Sequence, residues 1–335
     1  MATTMSRHMD YHSSLKPEPA TAQQQMNAYD ATSSEQWKSY QDYRPEYPPS
    51  LFQRIYTFHV ENGGRFEGTA HDAGCGPGIT AGILSLQFTH VICSDFSKKA
   101  VDSARTRLVG PPQSLNKTTN ANFSFKVASA EDMSWIATGT IDMVTMSEAL
   151  HWTDTARTVA AAHQALKPGG TFAAWYYTQP RLPDNAAAET IFREIQACWC
   201  KLRRDFSKES ERTLWVEQSG YDCVAFPAQM WASVERVKFN TQGNRDVWVR
   251  DWDLADMRYE SQIDFSERVE FVQDASEWQQ EVNIDWFRGW FESLFPTISP
   301  AYLDDMLPKL GTALGLHGST RAVWPVVLLL ASKKG

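Results

Sequence analysis

Asp72-Ala73-Gly74-Cys75-Gly76-Pro77-Gly78-Ile79-Thr80 decides how this chain is read. An acid is followed by three glycines at alternate positions, then by a stretch with helical character over 81–88. A short apolar run, Val91-Ile92-Cys93, ends in Ser94-Asp95. The order is strand, glycine-rich turn, helix, strand, acid. Glycines let such a turn approach a ligand closely, and the helix N-terminus offers N–H groups without helical partners. The second acid stands 23 residues after the first, where a ribose diol would be gripped.

Two cofactors compete for this turn. Gly76-x-Gly78-x-x-Ala81 satisfies a loose dinucleotide fingerprint, which favours NAD. The other spelling, acid-x-Gly-x-Gly-x-Gly, resembles motif I of the class I S-adenosylmethionine (SAM) methyltransferases, where the turn meets a methionine moiety. A tight strand-to-helix turn with no ligand is the third reading, so the rest of the chain has to decide.

The 335 residues suit one large domain or a domain plus a cap. Hydrophobic residues make up 42% and charged residues 21%, the mixture of a soluble globular protein. A net charge of -8 without a Lys/Arg cluster argues against nucleic acid as a partner. Cys75, Cys93, Cys198, Cys200 and Cys223 form no CxxC pair, no metal spacing is visible, and a reduced cytoplasmic protein is expected. The longest apolar run, 326–331, is too short to span a membrane and reads as a buried strand. Monomer and homodimer both stay open.

Residues 1–34 are polar and predict a disordered or loose tail. Prolines at 45, 48 and 49 bar a helix there, and Ser50 is placed as the N-cap of a helix closed by Asn62-Gly63-Gly64. Strands are expected at 69–73, 91–95, 123–127, 141–146 and 171–177. Helices are expected between them, one capped by Ser97 over 98–108 and one over 155–166. This alternation predicts a doubly wound, mostly parallel sheet whose ligands bind at the carboxyl ends of the strands. Beyond Tyr177 the rhythm changes. A helix is expected over 186–204, no element is assigned over 205–232, and a late strand covers 233–239. The region 246–310 is expected to be mostly helical, with Trp248, Trp252, Trp278, Trp286 and Trp290, and the last strand covers 321–332. Pro325 within it places that end at an edge or a bulge. The domain division is therefore a tail at 1–34 and a core with an N-terminal lid segment at 35–178. A helical, tryptophan-rich substrate cap follows at 179–310, and a strand at 311–335 completes the sheet.

Four blocks line up: Tyr-Arg-Pro-x-Tyr-Pro at 43–48, Asp-x-Gly-Cys-Gly-Pro-Gly at 72–78, Ser-Asp-Phe-Ser at 94–97, and Glu-Ala-Leu-His-Trp at 148–152, with Lys-Pro-Gly-Gly at 167–170 beyond. Together they resemble the class I SAM-dependent methyltransferases, and more narrowly the fungal trans-aconitate methyltransferases and their relatives in secondary-metabolite clusters. The resemblance covers about 37–178 and is thin over 180–310. It implies a Rossmann-like fold with an antiparallel last strand, SAM as cofactor and S-adenosylhomocysteine as its product. It implies that Asp72, Gly74, Cys75, Gly76 and Gly78 hold the amino-acid end of SAM. Asp95 would take the ribose hydroxyls, and Phe96 would pack on the adenine. Ser129, Ala130 and Glu131 match the segment at the adenine edge, although many relatives carry Asp where this chain has Ser129. Glu148, Ala149 and His151 would line the floor near the sulfonium, and Tyr43 and Arg44 would fold over SAM.

Methyl transfer is an in-line displacement, for which the protein positions the acceptor and removes its water. A carboxylate acceptor is ionised at neutral pH and needs no base, only cationic recognition. Arg250 and Arg258 among Trp248, Trp252 and Tyr259 suit an aromatic pocket with a positive anchor, or equally a helix surface. Arg181, Trp152 and Tyr176 are further wall candidates. A hydroxyl acceptor would benefit from a base, and His151 is the histidine placed at a strand end. The expected partner is thus a small, acidic acceptor. A hydroxyl, amine or carbon acceptor, and a SAM-binding protein without transfer, are the alternatives.

Overall fold

The computed structural model describes residues 42–110, 121–243, 259–273, 276–294 and 297–335. The first half of the chain runs α1 (Pro49–Glu61), β1 (Thr69–Ala73), α2 (Ile79–Leu84), β2 (His90–Asp95), α3 (Lys98–Val109), β3 (Asn122–Val127), β4 (Ile141–Ser147), α4 (Thr155–Ala165) and β5 (Leu166–Tyr177). The second half runs α5 (Ala186–Phe206), α6 (Lys208–Gln218), β6 (Trp231–Phe239), β7 (Arg268–Val272), β8 (Gln279–Asn283), α7 (Ile284–Glu292), α8 (Pro300–Leu314), β9 (Ser319–Val323) and β10 (Val326–Lys333).

The main sheet has 8 strands in the order β3-β2-β1-β4-β5-β10-β6-β7, while β8 and β9 form a separate antiparallel pair. The first five strands are parallel, and β10 runs antiparallel between β5 and β6. This is the Rossmann-like, mostly parallel sheet with an antiparallel last strand that the alternation and the resemblance imply. Order reverses between β1 and β4, the position at which such sheets bind ligands.

Local chemistry explains where the elements stop and start. Ser97 accepts from the Ala100 N–H at 3.3 Å and caps α3, as its type predicts. Asp154 does the same for α4, accepting from Arg157 N at 3.1 Å. The first helix departs from expectation by starting at Pro49, with Pro48 at the cap and no side-chain cap. Proline suits the first helical position, where its missing N–H has no partner to lose, and the Ser50 hydroxyl instead donates to Glu277. α2 closes after Leu84, where Ser85 Oγ donates to Gly82 O at 2.7 Å, four residues short of the expected end.

The largest departures lie late in the chain. The unassigned stretch 205–232 contains α6, capped by Ser207, which accepts from Ser210 N at 3.1 Å. The region expected to be mostly helical contains two strands, β7 and β8, ahead of α7 and α8. Pro325 is not at a sheet edge. It divides β9 from β10 at the point where the chain enters the sheet interior, and its carbonyl accepts from Thr178 N at 2.9 Å.

β10 is the spine of the core, with buried residues from Val326 through Ser332. Leu329 is 0% exposed and lies between Ala174 of β5 and Arg236 of β6. Leu329→Ala should therefore lower the unfolding free energy by about 2–5 kcal/mol, the range for a truncated core leucine. Urea denaturation checks it, and a change near zero would place β10 outside the cooperative core.

Candidate active site

The glycine turn leaves β1 at the sheet's carboxyl edge. Gly74, Gly76 and Gly78 have φ of 72°, 49° and 81°, in the left-handed region. The requirement is strict at Gly74, where an added Cβ would stand 2.6 Å from Ala149 Cβ. At Gly76 a Cβ would meet nothing within 4 Å, so that side of the turn opens into space a ligand can fill. The N–H groups of Gly74 and Cys75 both donate to Ser94 O, at 2.8 and 2.9 Å, fastening the turn to β2. Cys75 is buried in the turn. Its hydrogen bond with Cys93, and then burial, hold its thiol well above the usual range, which leaves it a packing residue.

Two acids flank the turn. Asp95 Oδ2 accepts from Gly76 N at 3.0 Å and Oδ1 from Ser97 N at 2.9 Å, which aims the carboxylate along the turn. Phe96 beside it is 39% exposed, an aromatic face left at the surface. Asp72 is 0% exposed and lies level with Thr145 of β4, whose hydroxyl donates to Oδ1 at 2.9 Å. Its Oδ2 has no hydrogen-bond partner among the described residues. Burial pushes the Asp72 carboxyl up to about 7, against the Thr145 hydroxyl and the Ala81 N–H, with Asp95 adding to the rise.

The segment 148–152 forms a floor at the end of β4. Glu148 is not glycine yet has φ 53°, and its Oε1 accepts from Tyr177 N at 2.7 Å. Desolvation pushes its carboxyl up to about 8. The Tyr177 N–H, Arg44 and Arg203 oppose that rise and Glu217 adds to it. His151 is 2% exposed with both ring nitrogens engaged, Nδ1 with Tyr221 Oη at 3.1 Å and Nε2 with Glu217 Oε1 at 3.1 Å. Burial pulls it down to about 4, with Glu217 opposing and Arg203 adding, so the ring is neutral. Trp152 is half-buried, with the Arg203 guanidinium 5.0 Å from its ring centre. Tyr176 is 1% exposed, and its hydroxyl donates to Glu217 O.

The N-terminal segment reaches the late helices. The Tyr43 ring fills the notch left by Gly289 in α7. Arg44 lies 4.2 Å over the Trp290 ring and donates to Ser293 O at 3.4 Å. Trp290 Nε1 donates to Gln179 Oε1 at 3.0 Å, and its ring stacks on Trp286 at 5.1 Å. Two residues beyond Gln179, the Arg181 backbone pairs with Val323, beside Trp324. Arg181 Nε is buried without a partner, and its guanidinium makes no ion pair among the described residues. Burial, with Arg193 adding and Glu189 opposing, lowers its affinity for the proton.

At the end of β3, Ser129 is exposed and donates to Glu131, whose Oε1 accepts from Asp154 N at 3.0 Å; Ala130 is half-buried. Trp248, Arg250, Trp252 and Arg258 lie outside the described residues. The glycine turn, Asp95 and Glu148 thus follow the carboxyl ends of the neighbouring strands β1, β2 and β4. Arg44 acts on the Glu148 carboxyl, Tyr43 sits against α7, and Arg181 lies beyond the end of β5. Reading the sequence missed Arg203, Glu217 and Tyr221. A signal existed for the first: Arg203 falls on the buried stripe of α5 with Phe192, Ile195 and Trp199, where a charge demands a partner.

A sequence model described as a methyltransferase domain matches residues 71–174. Methyltransferase cfoB of Aspergillus candidus is 30% identical over 91% of this chain and 96% of its own length. This chain belongs to the class I SAM-dependent methyltransferases. Methyltransferase ptaI of Pestalotiopsis fici is 29% identical, covering 89% of this chain and 93% of that one. A proposed type II methyltransferase from Anaeromyxobacter dehalogenans shares the fold at TM-score 0.55 and 20% identity, over 86% of this chain and 97% of that one.

The methyltransferase's own residues fit SAM. The open side of Gly76 gives the cradle, the Asp95 carboxylate suits a diol, and the exposed Phe96 face suits a purine. The unpartnered Asp72 Oδ2 suits a cationic amino group nearby. Among the described residues no helix is long and apolar enough to cross a membrane, and no His/Cys/Asp/Glu group could hold a metal ion. We expect Asp95→Ala to abolish SAM binding in calorimetric titration. Because both carboxylate oxygens also hold backbone N–H groups, stability should fall by about 1–3 kcal/mol. Wild-type affinity in this variant would remove Asp95 from the ribose site.

Proposed function

We propose that this methyltransferase esterifies a carboxylate of an acidic small molecule, a trans-aconitate-like acid or a carboxylated secondary metabolite. The observation that carries this reading is the state of His151. Both its nitrogens are engaged, and it is buried and neutral, so it has no lone pair directed at an acceptor. An acceptor that arrives already ionised needs none. SAM, when bound, supplies a methyl group made electrophilic by its sulfonium. A carboxylate oxygen taking that methyl group as the carbon–sulfur bond broke would give a methyl ester and a neutral thioether, so the chain would have no proton to move.

The chain's part is binding, orientation and exclusion of water. In this reading Gly74, Cys75, Gly76, Gly78 and Asp72 hold the amino-acid end of SAM and Asp95 the ribose. Phe96, Ser129, Ala130 and Glu131 surround the adenine, while Glu148 and Ala149 form the floor. Tyr43 and Arg44 cover the site, seated on Gly289 and Trp290 of the cap. Arg181 recognises the acid. It is a half-buried guanidinium with no ion-pair partner among the described residues, beyond the carboxyl end of β5. The half-buried Trp286 is the aromatic contact of this reading, backed by the buried rings of Trp290 and Trp324. Trp152 and Tyr176 serve as support behind the floor rather than as contacts, given the burial of Tyr176 and the Arg203 guanidinium over Trp152.

A second reading has a specific observation in its favour. Glu148 is half-buried on the floor with its carboxyl pushed up to about 8, a range useful for taking a proton from a hydroxyl acceptor.

The test is incubation of the enzyme with methyl-labelled SAM and a panel of tricarboxylic, aliphatic and aromatic acids. Label released as methanol under mild alkali is the expected result, and label in a base-stable ether would favour the hydroxyl reading. Arg181→Met should raise KM for the acid by about tenfold or more, the loss of a charge-assisted contact, while SAM affinity stays within about twofold. An unchanged KM would remove Arg181 from acceptor recognition.

A further inference from the structure

The floor of the site is held from outside the cofactor-binding half. Glu217 of α6 pairs with Arg203 of α5 through two hydrogen bonds of 2.8 Å. The same carboxylate meets His151 Nε2 at 3.1 Å, and Tyr221 meets His151 Nδ1 at 3.1 Å. Arg203 covers Trp152 at 5.0 Å and Trp199 at 5.2 Å. Arg212 of α6 donates to the carbonyls of Thr153 and Trp152, to the latter at 3.3 Å. The centre of this network is sealed from water, with Arg203 3%, Glu217 6% and Tyr221 0% exposed, while Trp152 and Arg212 at its margin are half-buried.

Two strained residues stand at the two ends of this network. Glu148 (φ 53°) and Tyr221 (φ 61°) are two of the four described non-glycine residues with positive φ. Such a backbone persists only where the surroundings over-determine it. His151 bridges the two, three residues after Glu148 and bonded to Tyr221. A carboxylate on Nε2 fixes that nitrogen as the protonated one and leaves Nδ1 to accept from the Tyr221 hydroxyl, so the ring has one orientation.

We propose that Arg203 and Glu217 are positioning residues for methyl transfer. As a clamp from the α5–α6 pair they hold the 148–152 segment, and so the Glu148 floor, in register with the glycine turn. The inference rests on the placement of SAM given above, with its amino-acid end between the turn and the floor. Asp95 and Phe96, which hold the adenosine end, follow β2, two strands away from β4 in the sheet. Loosening the clamp should therefore weaken one half of the cofactor and leave the other half alone. A merely structural pair would affect both halves together, or only the melting temperature.

Glu217→Ala would strand a buried guanidinium and could unfold the protein, so both charges are removed at once in Arg203→Met/Glu217→Leu, an exchange that buried ion pairs often tolerate. Glu217→Gln, which keeps the shape, serves as the second variant. Calorimetry of the full chain would use S-adenosylhomocysteine and 5′-methylthioadenosine, which lacks the amino-acid portion. We expect affinity for S-adenosylhomocysteine to fall by about tenfold or more while that for 5′-methylthioadenosine stays within about twofold, at a near-native melting temperature. Equal losses for both ligands, or no loss in either folded variant, would overturn the clamp. Failure of the wild-type protein to bind either ligand would instead overturn the SAM placement on which it rests.

Discussion

Gly74 passes so close to Ala149 that no side chain larger than hydrogen fits between the end of β1 and the floor segment after β4. That approach brings the glycine turn, held to β2 through Ser94 O, against 148–152. The parallel pairing of β1 with β2 and β4 sets the spacing, and left-handed glycines let the chain turn within it. Asp72 and Asp95 follow from the same junction. One lies sealed under the turn beside Thr145, and the other is held at its rim by Gly76 and Ser97.

The second half of the chain is built on a different logic. Tyr43 and Arg44 dock on α7, Trp286 stacks on Trp290, and both pack against Trp324, while Glu217 reaches beneath the floor to His151. An aromatic cluster and a buried ion pair thus hold this half together. Burying Arg203 and Glu217 together carries a desolvation penalty that mutual pairing offsets only with good geometry, and the two bonds of 2.8 Å supply it. The result is a neutral, immobile His151 in place of a titrating base.

The sheet was legible because its strands are short apolar runs closed by glycine, acid or a helix cap. β1 was read at 69–73, the limits it has, and Ser97 was read as the cap that it is. The glycine turn alone fitted NAD, SAM or no ligand, and it became legible as a SAM turn only together with the blocks at 43–48, 94–97 and 148–152. The second half was less so, for physical reasons. α6 contains Lys208, Glu209, Glu211 and Glu217 and reads as a polar segment, because the residues it buries include Ser210, Thr213 and Glu217 itself. β7 and β8 carry Arg268, Glu270 and Glu281 among their apolar residues, so little alternation survives. His151 was visible as a candidate, but its partners come from 66 to 70 residues further on and no local pattern names them.

The most direct measurement of the central claim is the pH dependence of kcat/KM for the acid that the enzyme methylates. Glu148 faces Glu217, Arg44, Arg203 and the Tyr177 N–H, and it is neutral until the pH approaches about 8. A carboxylate acceptor is ionised throughout and meets an uncharged floor at neutral pH. With SAM held saturating, so that the ionisation of Asp72 near 7 enters only through SAM binding, the rate should be level through neutrality and fall as Glu148 ionises and repels the acceptor. A rate that instead climbs through the ionisation of Glu148 would make that residue a base and the acceptor a hydroxyl, contradicting the account.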